Sequence, residues 1–138
     1  MRNLITRPWS TFYVKEKELS VPEISLYAIL EKTANQYGKQ TAIIYEHKRI
    51  TYSELKHQVD CLAASWRGMG ACKGQRIGLM LSNHPDYIIS YYAAQALGLI
   101  VVQVNPMYTP RELFQIVSDS KMSYLVTDSD ALNAVCEV

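Results

Sequence analysis

The chain predicts an α/β fold: a mainly parallel, doubly wound sheet flanked by helices. Three observations carry this expectation. From Thr51 onward the apolar patterning runs helix, strand, helix, strand, helix, strand, helix, the order in which crossover helices join parallel strands. The run Ile100-Val-Val-Gln-Val104 lacks alternation, as does a parallel strand covered on both faces. Two capping boxes, Thr51-Tyr-Ser-Glu54 and Thr109-Pro-Arg-Glu112, open helices that follow strand-like segments, the second after a short loop.

Residues 1–24 read as an extended arm with Pro8, Pro22 and the scattered apolar side chains Trp9, Phe12, Tyr13, Leu19 and Val21. Trp9 and Phe12 gain little in water, so this arm is expected to dock on something. Residues 25–138 then form the α/β subdomain. Ser25 can cap a helix in which Leu26, Ile29, Leu30, Ala34 and Tyr37 keep a 3.6-residue period, and Gly38 follows as its C′ residue. Thr41–Tyr45 and Lys48–Thr51 read as short strands about a Glu46-His47 turn. The first capping box opens a long helix with Leu55, Val59, Leu62, Trp66 and Met69 along one face.

Gly68-Met-Gly70-Ala-Cys-Lys-Gly74 has the look of a dinucleotide fingerprint, but its spacing is GxGxxxG and it lies between a helix and a strand. A phosphate loop needs the reverse order, strand, glycines, then helix N-terminus. A helix C-cap and a turn account for it. Arg76–Leu81 is the next strand. Pro85 suits the first position of the following helix, with His84 or Asn83 as its cap and Asp86 favoured by the helix dipole. That helix is apolar nearly all round, from Tyr87 to Leu97, and is expected to be sandwiched. Tyr87 to Val104 carries no charge for 18 residues, the crude length of a membrane span. Ser90, Gln95, Gln103 and the break at Gly98 favour a buried helix and a buried strand instead, so no membrane span is expected. The second capping box opens a helix carrying Leu113, Phe114, Ile116 and Val117. Met122 to Thr127 is a further strand, and Asp128 or Ser129 starts a last helix.

The 138 residues allow one domain with a real core. With 49% hydrophobic and 20% charged residues and a formal charge of +1, nothing points to nucleic acid or an anionic membrane surface. Cys61, Cys72 and Cys136 are odd in number and lack CxxC spacing, which suits a reduced, cytoplasmic setting. His47, His57 and His84 match no metal-ligand spacing, so no metal site is expected. The N-terminus has no apolar signal-peptide segment. There is no GxxxxGKS/T, GxSxG or HExxH and no acid/base pair of carboxylates, so no catalytic residue is assigned.

Two loops remain, Ser82–His84 and Asn105–Thr109. Each follows a parallel strand at its carboxyl end and precedes a helix, where open α/β sheets bind ligands. Pro106, Thr109, Pro110 and Glu112 supply turn and cap chemistry. Asn105 and Tyr108 do not, and are the candidate site residues.

Ile50-Thr-Tyr-Ser-Glu-Leu55 resembles the first core motif of the adenylate-forming superfamily, which includes acyl-CoA synthetases, luciferases and peptide-synthetase adenylation domains. Ala94-Gln-Ala-Leu-Gly-Leu-Ile-Val-Val-Gln-Val-Asn-Pro-Met-Tyr-Thr-Pro-Arg-Glu-Leu113 resembles the second. Gly78–Tyr87 is similar to the strand-loop-helix between them, and Arg7-Pro-Trp9 and Val21-Pro22 resemble bacterial long-chain fatty-acid–CoA ligases. The resemblance implies an N-terminal fragment of the large domain of an acyl-CoA synthetase. The parent would use ATP with Mg²⁺ to turn a fatty acid into an acyl-adenylate and pyrophosphate, and CoA would then displace AMP. The family's phosphate loop, nucleotide-binding residues and catalytic lysine lie beyond the equivalent of Val138. The fragment is therefore expected to be scaffold, catalytically inactive and without bound cofactor, with Asn105 and Tyr108 lining a substrate or CoA channel. The alternatives are a free-standing small α/β binding module, similar in outline to flavodoxin-like domains, and a truncated paralogue that pairs with other ligase chains. The arm and an exposed sheet edge lead to an expectation of self-association, most simply as a two-fold dimer.

Overall fold

A computed structural model describes residues 22–129 and 135–136. Most of the arm and the last expected helix lie outside these residues.

Helix α1 (Leu26–Tyr37) begins where the Ser25 hydroxyl accepts a hydrogen bond from the Ala28 amide at 3.1 Å. Gly38 ends it, but in right-handed geometry (φ −49°, ψ −36°), not the left-handed C′ conformation expected. Its lack of a side chain answers a different need. A Cβ there would meet the Ser53 hydroxyl and stand 2.7 Å from the Ala34 carbonyl oxygen. The Gly38 carbonyl also accepts from the Ser53 amide at 3.1 Å.

Strands β1 (Thr41–Tyr45) and β2 (Lys48–Thr51) form an antiparallel hairpin about Glu46-His47, with Glu46 at φ 52°. Thr51 then caps α2 (Tyr52–Gly68) with a complete capping box: its hydroxyl accepts from the Glu54 amide at 3.3 Å, and the Glu54 carboxylate accepts from the Thr51 amide at 2.8 Å. Leu55, Val59, Ala63 and Trp66 bury one face of α2. Met69, expected on that face, is 63% exposed, because the helix has ended and the chain turns away.

The GxGxxxG segment is the end of α2 and a turn, as expected. Beyond it lie β3 (Arg76–Met80), α3 (Pro85–Leu97), β4 (Ile100–Gln103), α4 (Pro110–Ser120) and β5 (Tyr124–Thr127). The three strands form a parallel sheet in the order β4-β3-β5, with Ile77 opposite both Val101 and Tyr124. The first strand is central, so the chain winds to one side and then to the other. The two apolar clusters follow the strand's two-residue period. Ile77 and Leu79 join the large cluster with α1, α2 and α3, whereas Met80 joins Val104 and Leu113 with α4 on the other face. This is the doubly wound arrangement predicted.

Burial differs along the sheet. β3 is buried from Ile77 to Met80, whereas β4 lies at an edge among the described residues and its Ile100 is 49% exposed. The unalternating run is nevertheless packed on both faces, Val101 against the large cluster and Val102 against that of Met80, Val104 and Leu113. In α4, Leu113 is fully buried while Phe114 points outward, 58% exposed. α3 is wedged among α1, α2 and the sheet through Ile89, Ala93, Ala94 and Leu97, and Gly98 closes it at φ 69°.

A polar clasp ties α1 to α2 beside this core. The Tyr27 hydroxyl donates to Asp60 Oδ1 at 2.6 Å, and Lys56 Nζ donates to Asp60 Oδ2 at 2.6 Å. Lys56 also stands 5.8 Å above the Tyr27 ring.

Candidate functional site

The carboxyl ends of β3, β4 and β5 all point to one edge of the sheet, as parallel strands must. Three loops gather there. His84 caps α3, its Nδ1 accepting from the Asp86 amide at 3.2 Å, with Pro85 at the first helical turn. The same Nδ1 lies 3.0 Å from Asp86 Oδ2. A neutral imidazole satisfies the amide and a protonated one the carboxylate, so one ring nitrogen serves two alternative partners. The Tyr45 ring meets His84 edge-on, centroids 4.8 Å apart. Ser82 Oγ donates to Asp128 Oδ2 at 3.2 Å, tying the loop after β3 to the chain leaving β5.

Asn105 and Tyr108, the residues singled out from sequence, lie in the loop after β4 and have local tasks there. The Met107 amide donates to Asn105 Oδ1 at 2.9 Å and the Tyr108 amide to the Asn105 carbonyl at 3.1 Å. This is a side-chain-supported turn, and the Asn-Pro dipeptide is its sequence signal. Tyr108 is half-buried against Met80, Val104 and Leu113.

Two clefts flank α3. One, of about 630 Å³, lies between the hairpin and the start of α3, and its lining mixes Lys48, Arg49 and His84 with Glu46, Glu54 and Asp86. The Glu54 carboxyl is held below the usual carboxylate range by hydrogen bonds from the Thr51 amide and then its hydroxyl. The other, of about 670 Å³, opens between α2, α3 and the ends of β3 and β5. Leu62, Leu81, Ile89 and Val126 make its walls apolar, and Cys61, Ser90 and Asp128 also face it. Sequence reading gave Cys61, His57 and Ser90 no site role. The four-residue spacing of His57 and Cys61 on the outward face of α2 was the available signal.

Among the described residues no three His, Cys, Asp or Glu side chains gather as a metal site requires. Nor is any helix there long and apolar enough to cross a membrane. Cys61, Cys72 and Cys136 are free thiols, all exposed.

The fold is a parallel α/β unit, and its only glycine-rich segment, Gly68 to Gly74, is a helix end and turn, not a phosphate loop. The model of the AMP-binding enzyme family matches residues 30–138, and the chain belongs to that family. The long-chain-fatty-acid–CoA ligase of Bacillus subtilis (strain 168) is 36% identical over 123 residues, covering 88% of this chain and 22% of that protein. The Yersinia pestis protein of the same name is 39% identical over 97 residues, covering 70% of this chain and 17% of that one. The chain thus spans about a fifth of the length of these relatives. Among solved structures, the N-terminal subdomain of Klebsiella oxytoca NpsA in complex with anthranilyl-AMSN superposes with a TM-score of 0.74 at 25% identity, over 76% of this chain and 28% of that one. The inhibitor-bound N-terminal domain of FACL13 from Mycobacterium tuberculosis shares the fold, with a TM-score of 0.77 at 21% identity over 81% of this chain and 29% of that one.

Proposed function

We propose that this chain is one wall of the large domain of a long-chain fatty-acid–CoA ligase, acting there as scaffold. The observation that carries the reading is 36% identity to a ligase of that name spread over 88% of the chain. Both core motifs lie inside the region matched by the family. The whole enzyme joins a fatty acid to CoA at the expense of ATP, through an acyl-adenylate. This chain's own residues build a sheet edge and loops for that reaction and hold no part of its charge-stabilising machinery. Mg²⁺ accompanies the ATP, and no described residue set is assigned to it. Asn105 and Tyr108, at the carboxyl edge, line the passage for substrate or CoA. The free thiols support a cytoplasmic setting, and the sheet edges that are unpaired among the described residues support self-association as a two-fold dimer.

A chimera tests the reading. Residues 1–138 replace the matching segment of the Bacillus subtilis ligase, and acyl-CoA formation is measured. Activity within about tenfold of the parent is expected, since scaffold exchange leaves the transition-state contacts in place. A folded chimera without activity overturns the reading. Asn105→Ala and Tyr108→Phe in that chimera raise KM for fatty acid or CoA if the channel assignment holds, and leave both unchanged if it does not. The isolated chain shows only background in a fatty-acid-dependent ATP–pyrophosphate exchange assay, because nothing in it stabilises the triphosphate transition state. Turnover above background relocates the chemistry into these residues.

A further inference from the structure

We propose that the outward stripe of α1 is a docking face for the chain's own N-terminal arm, residues 1–21, lying antiparallel along it. Leu26, Ile29, Thr33 and Tyr37 make the stripe, spaced so that they share one side of the helix. With Ile24 just ahead of the cap, Leu26, Ile29 and Tyr37 are between 42% and 51% exposed. The Thr33 hydroxyl does not interrupt this surface, because it donates to the Ile29 carbonyl at 2.8 Å and so is already satisfied. Leu30 and Ala34, next to the stripe, turn to the core. The uncovered side is thus a continuation of the buried face of α1, not a scatter of single surface residues.

The occupant follows from where the rest of the chain is attached. The Ile24 amide donates to the Pro22 carbonyl at 2.9 Å, a three-residue turn that bends the chain sharply just ahead of the Ser25 cap. Ile24 and Ile29 hold the N′ and N4 positions, whose side chains fix the angle at which a chain enters a helix. An arm leaving Pro22 at this bend starts beside Leu26 and Ile29. Val21 and Leu19 come next, two residues apart and so on one side of an extended chain, with Tyr13, Phe12 and Trp9 further back. The 12 residues of α1 rise about 18 Å, whereas the stretch from Phe12 to Pro22 reaches up to roughly 33 Å. Val21 and Leu19 therefore cover Leu26 and Ile29, and the aromatic side chains reach Tyr37 at the far end with slack. Attachment also decides whose arm it is. A short tether gives an effective concentration in the millimolar range, above that of other copies in a micromolar solution.

Fluorine NMR of the 138-residue chain labelled with fluorotryptophan tests this without substrate, so the outcome is independent of the ligase reading. Trp9 and Trp66 are the tryptophans, and Trp9→Phe shows which signal is Trp9. Trp66 is buried in the core, so its signal reports that each variant is folded. A soluble gadolinium chelate is expected to relax the Trp9 signal far less than in the urea-unfolded chain, at every dilution. Ile29→Asp and Tyr37→Ala, both at exposed positions, are expected to abolish that shielding while the Trp66 signal stays in place. Leu19→Asp combined with Val21→Asp does the same from the arm's side and leaves the residues of the α/β core unchanged. Ile44→Asp, on the exposed side of the hairpin, leaves Trp9 shielded. A Trp9 signal relaxed as in urea, shielding that survives both α1 variants, or its loss in Ile44→Asp each overturns the proposal. Loss of shielding on dilution does so too, because it gives the arm to a second copy.

Discussion

At Gly38 a methyl group would stand 2.7 Å from the Ala34 carbonyl oxygen and closer still to the Ser53 hydroxyl. The first of these atoms belongs to a helical backbone and cannot swing away. Gly38→Ala is therefore expected to destabilise the fold by about 1–3 kcal/mol, the usual cost of overpacking, read as a fall in the urea midpoint. Gly68, at the end of α2, has no atom within 4 Å of such a methyl group. There the helix propensity of alanine prevails, and Gly68→Ala should gain up to about 1 kcal/mol. Equal effects of the two changes would mean that space is not what distinguishes these glycines. The titrating residues set a second expectation. Glu54 and Glu112 are held low by hydrogen bonds from their capping threonines. Burial pushes the Asp60 carboxyl up, but hydrogen bonds from Lys56 and Tyr27 outweigh it and leave it lowered. The same bonds to Asp60 raise Tyr27 and Lys56. For the lowered carboxyls, stability is fully present above the unfolded values near about pH 4 and is lost as pH falls through the folded ones. For the raised groups it is present below about pH 10 and is lost as pH rises through the folded values. A urea midpoint followed across pH should show a plateau with a fall on each side, and Asp60→Asn should flatten the alkaline fall. An alkaline limb unchanged in that variant would rule the clasp out as its cause.

Helix ends show why some of this molecule could be read directly and some could not. Both capping boxes, the Ser25 cap and Pro85 behind His84 stand where the sequence puts them, because a cap is decided within four residues. The C-terminus of α4 is different. Lys121 closes it in left-handed geometry, φ 51° and ψ 41°, a position that favours glycine. Lys121→Gly is expected to stabilise by up to about 1 kcal/mol, and a lower thermal midpoint would count against the strain. No glycine or asparagine marks that end, so the sequence is silent there. Edge and centre were equally hidden: the apolar run of β4 announces a parallel strand, but only the crossover past β3 decides that it lies outermost. Gly38 misled for a related reason: what it answers is the lack of space beside the Ala34 carbonyl oxygen and Ser53, fifteen positions on, and not a left-handed turn. The gathering of the loops after β3 and β4 at one carboxyl edge was legible from element order alone. The cleft holding Cys61 and Ser90 was not, because it exists only where α2, α3 and β5 converge.

On the scale of the whole molecule, the chain carries a sheet of three parallel strands with β3 alone paired on both sides among the described residues. The outer edges of β4 and β5 therefore offer backbone donors and acceptors, and Ile100 on β4 is half exposed beside one of them. Phe114 and Met107 add apolar surface on the α4 side, at 58% and 85% exposure. The Bacillus subtilis relative is about four times as long as this chain and has more chain to cover such a face. On its own, the chain has another copy of itself as the available cover, and edge pairing or arm exchange supplies the geometry of a two-fold contact. Light scattering is expected to give a mass near twice the 15.7 kDa of one chain at high micromolar concentration, falling toward one chain on dilution. Ile100→Lys places a charge on the edge and should shift the equilibrium to monomer if β4 makes the contact. Deletion of residues 1–21 should do so if the arm makes it. A dimer that survives the deletion but not the charge assigns the contact to the sheet edge, and the reverse assigns it to the arm. A clean monomer throughout the dilution series, with the intact chain, sinks the idea.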